Sequence, residues 1–358
     1  MQAPGRRKTF SRRGCCRLET SSRGIGVCLV GCGFIGFTHA ERWRRIAGAR
    51  LVGCVDLEEE RAKFFKEAYG FPEWGQDLDR FLSLDAVDIV DVCTPTYTHK
   101  DIVLRCFEHG KHVIVEKPIS LKLSDAREMI RKAGDSGLKL MVAHVLRFWG
   151  EYALAKRLIS EGAIGEPSVA RAYRQSAFPS WAWENWHDYL EKGGGVFVDM
   201  SIHDVDFLRW SLGEVEEVYA QGGTYVRRNA SSHDYTHALL KFRSGAIAYV
   251  EGSWIMPEDY PFTTFLEVAG TKGILHVDNQ STATVSLHRR GRVERFTPFD
   301  KDGYYLELQA FADSVVNDTP PPVSGEEGLR TLEVVLAALK SVLTGEPVKL
   351  PLEADVIG

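Results

Sequence analysis

The chain has 358 residues, of which 44% are hydrophobic and 26% are charged, and its formal net charge is -5 at pH 7. Such a length favours two domains, because one hydrophobic core rarely grows this large. The acidic balance argues against a general nucleic-acid binder, and no apolar run approaches the roughly 20 residues of a membrane-spanning helix. We therefore expect neither nucleic acid nor a membrane as a partner.

Residues 1–24 form a basic leader with seven basic side chains and one acidic side chain. The arginine pairs at 6–7 and 12–13 are not followed by the apolar segment of an export signal, so we expect the leader to be disordered and dispensable for activity. The seven cysteines all lie in the first third of the chain and lack zinc-ligand spacing. They predict neither a disulfide framework nor a bound metal, and a reducing cytoplasm is the simplest location.

From residue 25 to about residue 146, short β-branched apolar runs alternate with amphipathic stretches. Alternation of this kind predicts a doubly wound, mostly parallel sheet with right-handed crossovers. The predicted strands cover residues 25–30, 50–55, 88–93, 112–115 and 139–143. The predicted helices cover residues 35–46, 58–68, 98–108 and 124–136.

After about residue 147 the pattern changes to long strand-like runs separated by short turns, which predicts a large, open and mostly antiparallel sheet. The fold class is therefore α/β, with a parallel-sheet domain over 25–146 and a second α/β domain over 147–358. The predicted strands of the second domain cover residues 217–226, 235–242, 246–254, 263–268 and 282–288. Its predicted helices cover residues 150–160, 199–212, 306–316 and 326–343.

A Gly-x-Gly-x-x-Gly fingerprint lies between the first predicted strand and the first predicted helix, where a dinucleotide pyrophosphate can meet a helix N-terminus. Asp56 follows the second predicted strand and can accept hydrogen bonds from ribose hydroxyls, so the first domain is expected to be a Rossmann domain that binds NAD. NADP is less expected, although Arg61 could reach its phosphate. The residues predicted to contact the cofactor here are Gly31, Gly33, Phe34, Ile35, Gly36 and Asp56.

Two further segments end strands at the edge of the sheet where ligands bind in doubly wound folds. Thr94 and Pro95 should line the crevice near the nicotinamide ribose, whereas His99 fits a ligand contact and a surface helix equally well. Glu116 and Lys117 close the next predicted strand. Glu116 fits a cofactor contact or a backbone anchor, and Lys117 can hold a positive charge beside the cofactor and near a substrate oxygen.

The helix predicted over 199–212 has one polar face. Three consecutive glycines lie shortly before this helix. Asp199, His203 and Asp206 fall within an arc of about 60° on this helix, opposite its apolar residues, so we expect the face to lie outside the core. An ordinary solvated face would explain such spacing. However, the glycines permit close approach of the backbone to a ligand, and an Asp-x-x-x-His pair can orient an imidazole for proton transfer. We therefore favour a functional interpretation.

The segment 178–189 contains three tryptophans, and flat aromatic faces suit the CH surfaces of sugars and cyclitols. Aromatic clusters are also common in cores and subunit contacts, so both interpretations stay open. Trp186 and His187 are the members most expected to face a substrate. Tyr260 and Arg147 are further candidates for substrate contact.

These motifs, taken in their order along the chain, resemble the Gfo/Idh/MocA oxidoreductase family over nearly the whole sequence from Gly24 onward. The resemblance implies a Rossmann domain followed by a substrate-binding domain that also mediates assembly into homodimers or homotetramers. It implies Lys117, Asp199 and His203 as the catalytic set. The motifs that carry it are Gly31-x-Gly33-x-x-Gly36, Thr94-Pro95 with His99, Glu116-Lys117-Pro118, Arg147-Phe148 and Gly193-Gly194-Gly195-x-x-x-Asp199-x-x-x-His203-x-x-Asp206.

The resemblance also implies an NAD-dependent oxidoreductase that transfers a hydride between nicotinamide and a secondary hydroxyl of a sugar, sugar derivative or inositol. In this scheme His203 is the base, Asp199 orients it or holds a neighbouring hydroxyl, and Lys117 binds the reacting oxygen. One alternative is a glycoside hydrolase that uses bound NAD in a transient oxidation. A non-catalytic ligand sensor is less expected, since both the lysine and the histidine are present.

Overall fold

The computed structural model describes residues 24–298 and 302–357, so the predicted leader at 1–24 lies outside the described residues except for Gly24. The strands are β1 (Ile25–Val30), β2 (Ala49–Val55), β3 (Glu73–Gly75), β4 (Ile89–Val92), β5 (His112–Glu116), β6 (Leu140–Ala143), β7 (Pro167–Gln175), β8 (Val215–Gly223), β9 (Tyr235–Phe242), β10 (Ile247–Ser253), β11 (Thr263–Gly270), β12 (Gly273–Asp278), β13 (Val285–Arg289), β14 (Arg292–Phe296) and β15 (Val348–Lys349). The helices are α1 (Phe34–Trp43), α2 (Glu59–Tyr69), α3 (Leu78–Leu82), α4 (His99–Glu108), α5 (Leu123–Ser136), α6 (Gly150–Ser160), α7 (Leu190–Gly193), α8 (Val196–Asp199), α9 (Ile202–Leu212), α10 (Gly303–Val316) and α11 (Gly325–Thr344).

Six strands form the first sheet in the order β3-β2-β1-β4-β5-β6, and every pairing in it is parallel. The predicted doubly wound sheet is confirmed. All six residues of β1 are buried, and strands covered on both faces form continuous apolar runs in the sequence, which made them easy to predict. The strand order reverses between β1 and β4, and in such sheets ligands bind in the crevice at the carboxyl ends of these strands.

Nine strands form the second sheet in the order β14-β13-β12-β11-β7-β10-β9-β8-β15. The pair β7 and β10 is parallel, and the other pairings among the described strands are antiparallel. The predicted large and mostly antiparallel sheet is therefore confirmed.

Strand β7 runs through the middle of this sheet, although the sequence did not predict it. Its buried positions are Ala170, Ala172 and Arg174, and alanine and arginine produce little of the β-branched alternation that marks a strand. Strand β8 ends at Gly223 and not at the predicted residue 226. The chain turns there because the Asp234 carboxylate accepts hydrogen bonds from three successive main-chain N–H groups.

The second sheet has one covered face and one open face. Helices α6, α9 and α11 pack on the covered face, where Ala238, Leu240 and Phe242 of β9 are buried. On the open face, Leu239 of β9 is 55% exposed and Ile247 of β10 is 53% exposed. Among the described helices, none has the length and apolar character that crossing a membrane requires.

The helix predicted over 199–212 is interrupted, because α8 ends at Asp199 and α9 begins at residue 202. The expectation that its polar face stays outside the core is wrong. Asp206 of this face is fully buried, as is Asp204 on another side of the helix, and each carboxylate accepts two hydrogen bonds from an arginine of another segment. Helix α9 is enclosed between β7 and α11, and a buried carboxylate is tolerated there only because a buried cation pairs with it.

Helix α10 packs against α1 and so joins the C-terminal part of the chain to the first sheet. Glu307 of α10 is fully buried, and neither of its carboxylate oxygens has a hydrogen-bond partner among the described residues. Burial and, next, the charge of Glu116 raise the pKa of Glu307 well above its ordinary value. The folded protein therefore retains a proton on this carboxyl at pH values where the unfolded chain, with a pKa of about 4.3, has lost it.

Replacing Glu307 by glutamine should stabilise the protein at neutral and alkaline pH. As the pH rises above the unfolded pKa, the native chain loses stability because its folded state binds more protons than its unfolded state, whereas an amide does not titrate. Glu307→Gln should raise the free energy of unfolding by about 1–3 kcal/mol near pH 8, and by less near pH 5, in urea denaturation. Glu67→Gln, at an exposed site on α2, is the matched control. A gain that does not depend on pH would contradict this assignment.

Candidate active site

Lys117 lies directly after β5, and its side chain reaches across to the second half of the chain. Its Nζ donates hydrogen bonds to the main-chain carbonyl of Asp199 at 2.7 Å and to Asp199 Oδ1 at 3.0 Å. The side chains of Lys117 and Asp199 are 15% and 18% exposed, so the ion pair is mostly shielded from solvent. The structure thus brings together two of the predicted catalytic residues from distant segments.

The glycine run before α8 determines where Asp199 lies. Gly194 and Gly195 have φ angles of 74° and 83°, in the left-handed region that favours glycine. A Cβ on Gly195 would also lie 3.2 Å from main-chain atoms of His233. Burial raises the pKa of Asp199, but the attraction of Lys117 outweighs it and the net pKa is lowered. Asp199 is therefore an ionised partner for the ammonium group.

Three imidazoles, those of His144, His187 and His203, lie near this ion pair. In each of them the Nδ1 atom has no hydrogen-bond partner among the described residues. Burial, with a smaller contribution from the charge of Lys117, lowers the pKa of all three, and the pKa of His144 falls to about 4. The three rings are therefore neutral near pH 7, and a neutral imidazole can accept a proton. His144 was not predicted, because a histidine inside an apolar run resembles a core residue.

The glycine fingerprint forms a tight bend between β1 and α1. Gly31 has a φ angle of 97°, and a Cβ there would lie 2.6 Å from the carbonyl oxygen of Cys93. A Cβ on Gly36 would lie 2.0 Å from the carbonyl oxygen of Gly31, whereas one on Gly33 would meet no protein atom within 4 Å. The bend therefore leaves open the space in front of the α1 N-terminus, and these residues fit the pyrophosphate of a dinucleotide.

Asp56 fastens the fingerprint to the second strand. It follows β2 directly, and its carboxylate accepts hydrogen bonds from the main-chain N–H of Cys32 at 2.7 Å and of Glu58 at 2.8 Å. The side chain is half-buried at the position where dinucleotide-binding folds present an acid to the ribose. Its position thus fits the predicted cofactor contact, and its backbone bonds also shape the loop.

The loop after β4 contains Thr94 and Pro95, which are half-buried at the carboxyl edge of the first sheet. His99 is fully buried behind them, and its two ring nitrogens each lie 2.9 Å from a carbonyl oxygen, one of Thr94 and one of Pro118. The structure corrects the sequence-based alternatives for this residue. His99 is neither at the surface nor open to a ligand, and it braces the Thr94 loop against the turn that follows Lys117.

Arg147 is unavailable to a substrate, contrary to the prediction from the sequence. Its Nε and Nη2 atoms bind the Asp206 carboxylate at 2.8 and 2.7 Å, and Nη2 also lies 3.0 Å from Glu327 Oε2. The arginine side chain is 7% exposed. A planar guanidinium forms two parallel bonds with a carboxylate, so Arg147 secures α9 and not a ligand.

The other predicted substrate contacts divide into two groups. Trp186 is half-buried, and its ring centroid lies 3.8 Å from that of His187, whose pKa responds to Asp199 and Lys117. His187 therefore lies within electrostatic range of the ion pair, and Trp186 contacts His187. Tyr260 instead donates a hydrogen bond to Gln175 Oε1 at 3.3 Å, and no contact among the described residues links it to the ion pair.

The segment 176–192 also contacts the first domain at the mouth of the cofactor crevice. The Trp181 ring lies 4.6 Å from the Phe34 ring of the fingerprint, although the two side chains are 63% and 64% exposed. Lys192 Nζ lies 5.5 Å from the ring centroid of Tyr97, in the loop after β4. Sequence analysis missed Tyr97, because a contact between distant segments leaves no periodic pattern.

Two family models match the chain. One, described as an oxidoreductase family with an NAD-binding Rossmann fold, matches residues 25–144. The other, described as the GFO/IDH/MocA C-terminal domain, matches residues 152–276. Together with the parallel sheet and its glycine bend, these matches define the class of the protein as an NAD-binding oxidoreductase.

Comparison with individual relatives identifies the family of the chain. The chain is 35% identical to a myo-inositol 2-dehydrogenase of Thermotoga maritima over 344 residues, 93% of this chain and 99% of the relative. It is 31% identical to a scyllo-inositol 2-dehydrogenase (NAD(+)) of Bacillus subtilis, with 93% and 98% covered. The crystal structure of a probable dehydrogenase from Thermotoga maritima superposes with a TM-score of 0.79 at 32% identity, with 91% and 98% covered. The chain belongs to the GFO/IDH/MocA family of oxidoreductases.

Replacing Trp181 by alanine should speed the release of a bound dinucleotide, because the contact with Phe34 no longer holds segment 176–192 against the fingerprint. An aromatic pair contributes about 0.5–1.5 kcal/mol, so the dissociation rate of NADH should rise about 2–10-fold. Stopped-flow displacement measures this rate. Phe64→Ala, which removes a 57% exposed ring on α2, is the matched control. Identical rates for the native protein and Trp181→Ala would contradict a role for the contact in retention.

Proposed function

We propose that this protein is a dehydrogenase that transfers a hydride between NAD and a carbon bearing a secondary hydroxyl in a sugar, sugar derivative or inositol. The observation that carries the proposal is the Lys117–Asp199 ion pair near neutral His203, at the carboxyl edge of a sheet whose first turn fits a dinucleotide. Two relatives named as inositol dehydrogenases support this substrate class.

Each of the three residues has a role that its surroundings support. NAD, when bound, would supply the nicotinamide ring that accepts the hydride. His203 would take the hydroxyl proton, because burial and then Lys117 lower its pKa and keep the ring neutral. Lys117 would donate a hydrogen bond to the reacting oxygen and stabilise the negative charge that develops there. Asp199 would keep the ammonium in place and accept a hydrogen bond from a neighbouring substrate hydroxyl.

The charges around the imidazoles favour an uncharged substrate. Four cations influence the pKa of His144 or His203, and each already has a carboxylate partner within 3.0 Å. A substrate carboxylate would have to displace one of these partners and leave a buried charge unpaired, which is costly. A neutral polyol needs no such exchange. The four cations are Lys117, Arg147, Arg174 and Arg209.

A panel of inositols, neutral sugars and the corresponding sugar acids tests the proposal. With NAD, we expect NADH absorbance to appear for neutral polyols and not for the acids. NAD should be preferred over NADP by at least about tenfold, or about 1.4 kcal/mol, because Asp56 would repel a 2'-phosphate. A flat response across the whole panel would contradict the proposed function, and turnover of the acids alone would contradict the neutral substrate class.

Variants of Lys117 and His203 test the assigned roles. Lys117→Met removes the ammonium and keeps the apolar stem, so kcat should fall about 100–1,000-fold as charge stabilisation is lost. His203→Gln should lower kcat about 100–10,000-fold, because no base remains to take the proton. Steady-state kinetics and circular dichroism separate lost chemistry from lost folding. Lys100→Met, which breaks a surface ion pair with Asp125, is the matched control and should keep full activity. Near-normal turnover by either site variant would contradict its role.

We further propose that the open face of the second sheet joins copies of the chain into homodimers or homotetramers. Leu239 and Ile247 are more than half exposed on this face, near the stacked rings of Tyr173 and Phe265, whose centroids are 5.0 Å apart. Exposed apolar side chains on an open sheet face favour a second copy over solvent. Light scattering should give two or four 40.1-kDa chains, and Leu239→Asp should yield one. Leu57→Asp, at another exposed position, is the control. A monomeric native protein, or conversion to a single chain by Leu57→Asp as well, would contradict this assembly.

The proposed function also assigns different roles to the two parts of the chain. Residues 25–146 would bind the cofactor, and residues 147–358 would bind the substrate and mediate assembly. The five described cysteines are free and buried, which supports a reducing cytoplasm as the place of action.

A further inference from the structure

A buried network lies beside the candidate active site, around a residue to which the proposed reaction assigns no role. His39 of α1 is fully buried, and its Nδ1 atom is hydrogen-bonded to Asp91 Oδ2 at 2.9 Å. On the other side of the ring, Nε2 lies 3.2 Å from Glu116 Oε1. The distance between Nε2 and Glu116 Oε1 is that of an ion pair, although the geometry of this contact does not meet the criteria of a hydrogen bond. The imidazole therefore lies between two carboxylates.

Two further side chains complete the network around Asp91. Trp43 Nε1 donates a hydrogen bond to Asp91 Oδ2 at 2.7 Å, and Cys93 Sγ lies 3.4 Å from Asp91 Oδ1 and from His39 Nδ1. Burial opposes a charge on His39, but the attraction of Asp91 and its hydrogen bond to the ring act against it, and the pKa of His39 is raised well above its ordinary value. The two N–H groups of an imidazolium suit the carboxylate oxygens that lie on either side of the ring. His39, Asp91 and Cys93 are close enough to share a metal ion, but their bonds to one another account for the cluster without one.

Glu116 connects this network to Lys117. Its Oε2 atom accepts a hydrogen bond from the main-chain N–H of Lys117 at 3.1 Å, while its Oε1 atom faces His39. His39 belongs to α1, the helix that begins at the glycine fingerprint. A single ring therefore joins the helix that would receive the pyrophosphate to the turn that carries the proposed catalytic ammonium. From α10, Tyr304 and Glu307 face the same carboxylate.

We propose that His39 is a positioning residue, which holds Glu116 against α1 and thereby sets the position of Lys117 relative to the fingerprint and to Asp199. The expected effect on catalysis rests on the proposed function. The expected effect on the position of Lys117 does not, because it requires neither cofactor nor substrate. A displacement of about 1 Å can cost about 100-fold in rate. Loss of the His39 contact should therefore lower kcat more than it raises KM for the polyol.

The reactivity of Lys117 toward an acylating reagent tests the inference without cofactor or substrate. Acetylation by N-hydroxysuccinimidyl acetate, followed by peptide mass spectrometry, gives the labelling rate at Lys117. In His39→Gln and in Glu116→Gln this rate should rise by at least about fivefold, as expected when one buried ion-pair contact no longer holds the segment. Trp43→Phe is the matched control, because it removes a different donor to Asp91 and leaves the Glu116 contact intact. Its labelling rate should remain at the native value.

Turnover of a neutral polyol provides the second measurement. In both His39→Gln and Glu116→Gln, kcat should fall about 100-fold, and the double variant should fall no further, since both changes break one connection. Trp43→Phe should keep its kcat.

Native labelling rates in both folded single variants would overturn the inference, and so would equal increases in Trp43→Phe or additive losses of kcat in the double variant. If His39→Gln does not fold, Glu116→Gln decides the matter. If the native protein turns over no polyol, the proposed function fails, while the labelling rates still decide whether His39 positions Lys117.

Discussion

The ion pair between Lys117 and Asp199 is the contact on which the candidate site depends. It joins the end of a parallel strand to a short helix 82 residues later in the chain, and both side chains are mostly shielded from solvent. Charges so placed are stable only when each has its partner, so the two halves of the chain must meet at this point for either residue to be accommodated. The three imidazoles whose pKa Lys117 lowers lie around that meeting point.

Other buried charges lie near the ion pair and hold the neighbouring segments of the chain in place. Asp206 with Arg147 and Asp204 with Arg174 fasten α9, and His39 with its two carboxylates fastens the end of β5 before Lys117. Such pairs gain little net stability compared with apolar packing, but breaking one is costly, so each restricts its segment to one position. A site that must align a hydride donor, a base and a hydrogen-bond donor benefits from that restriction.

The features that depend on local chemistry could be predicted from the sequence. The glycine bend, Asp56 and the strand that ends just before Lys117 all follow from turn geometry and from the apolar runs of a buried parallel sheet. The environment of α9 could not be predicted, because its carboxylates are satisfied by arginines from distant segments, and the periodicity of Asp206 alone is that of an exposed face. For the same reason Arg147 resembled a substrate contact. The burial of His99 between two main-chain carbonyls likewise depends on tertiary contacts, so the sequence left it open between a ligand contact and a surface helix. Strand β7 was missed because its buried alanines and arginine produce little of the alternation that marks a strand.

A crystal structure of the protein with NAD and an inositol tests the central claim most directly. We expect one hydroxyl oxygen of the inositol to lie within about 3 Å of both Lys117 Nζ and a ring nitrogen of His203, the distance that proton transfer requires. The carbon that bears this hydroxyl should face the nicotinamide ring. An inositol that binds away from Lys117, or that turns its hydroxyls from His203 while the cofactor occupies the crevice, would contradict the assignment of the site.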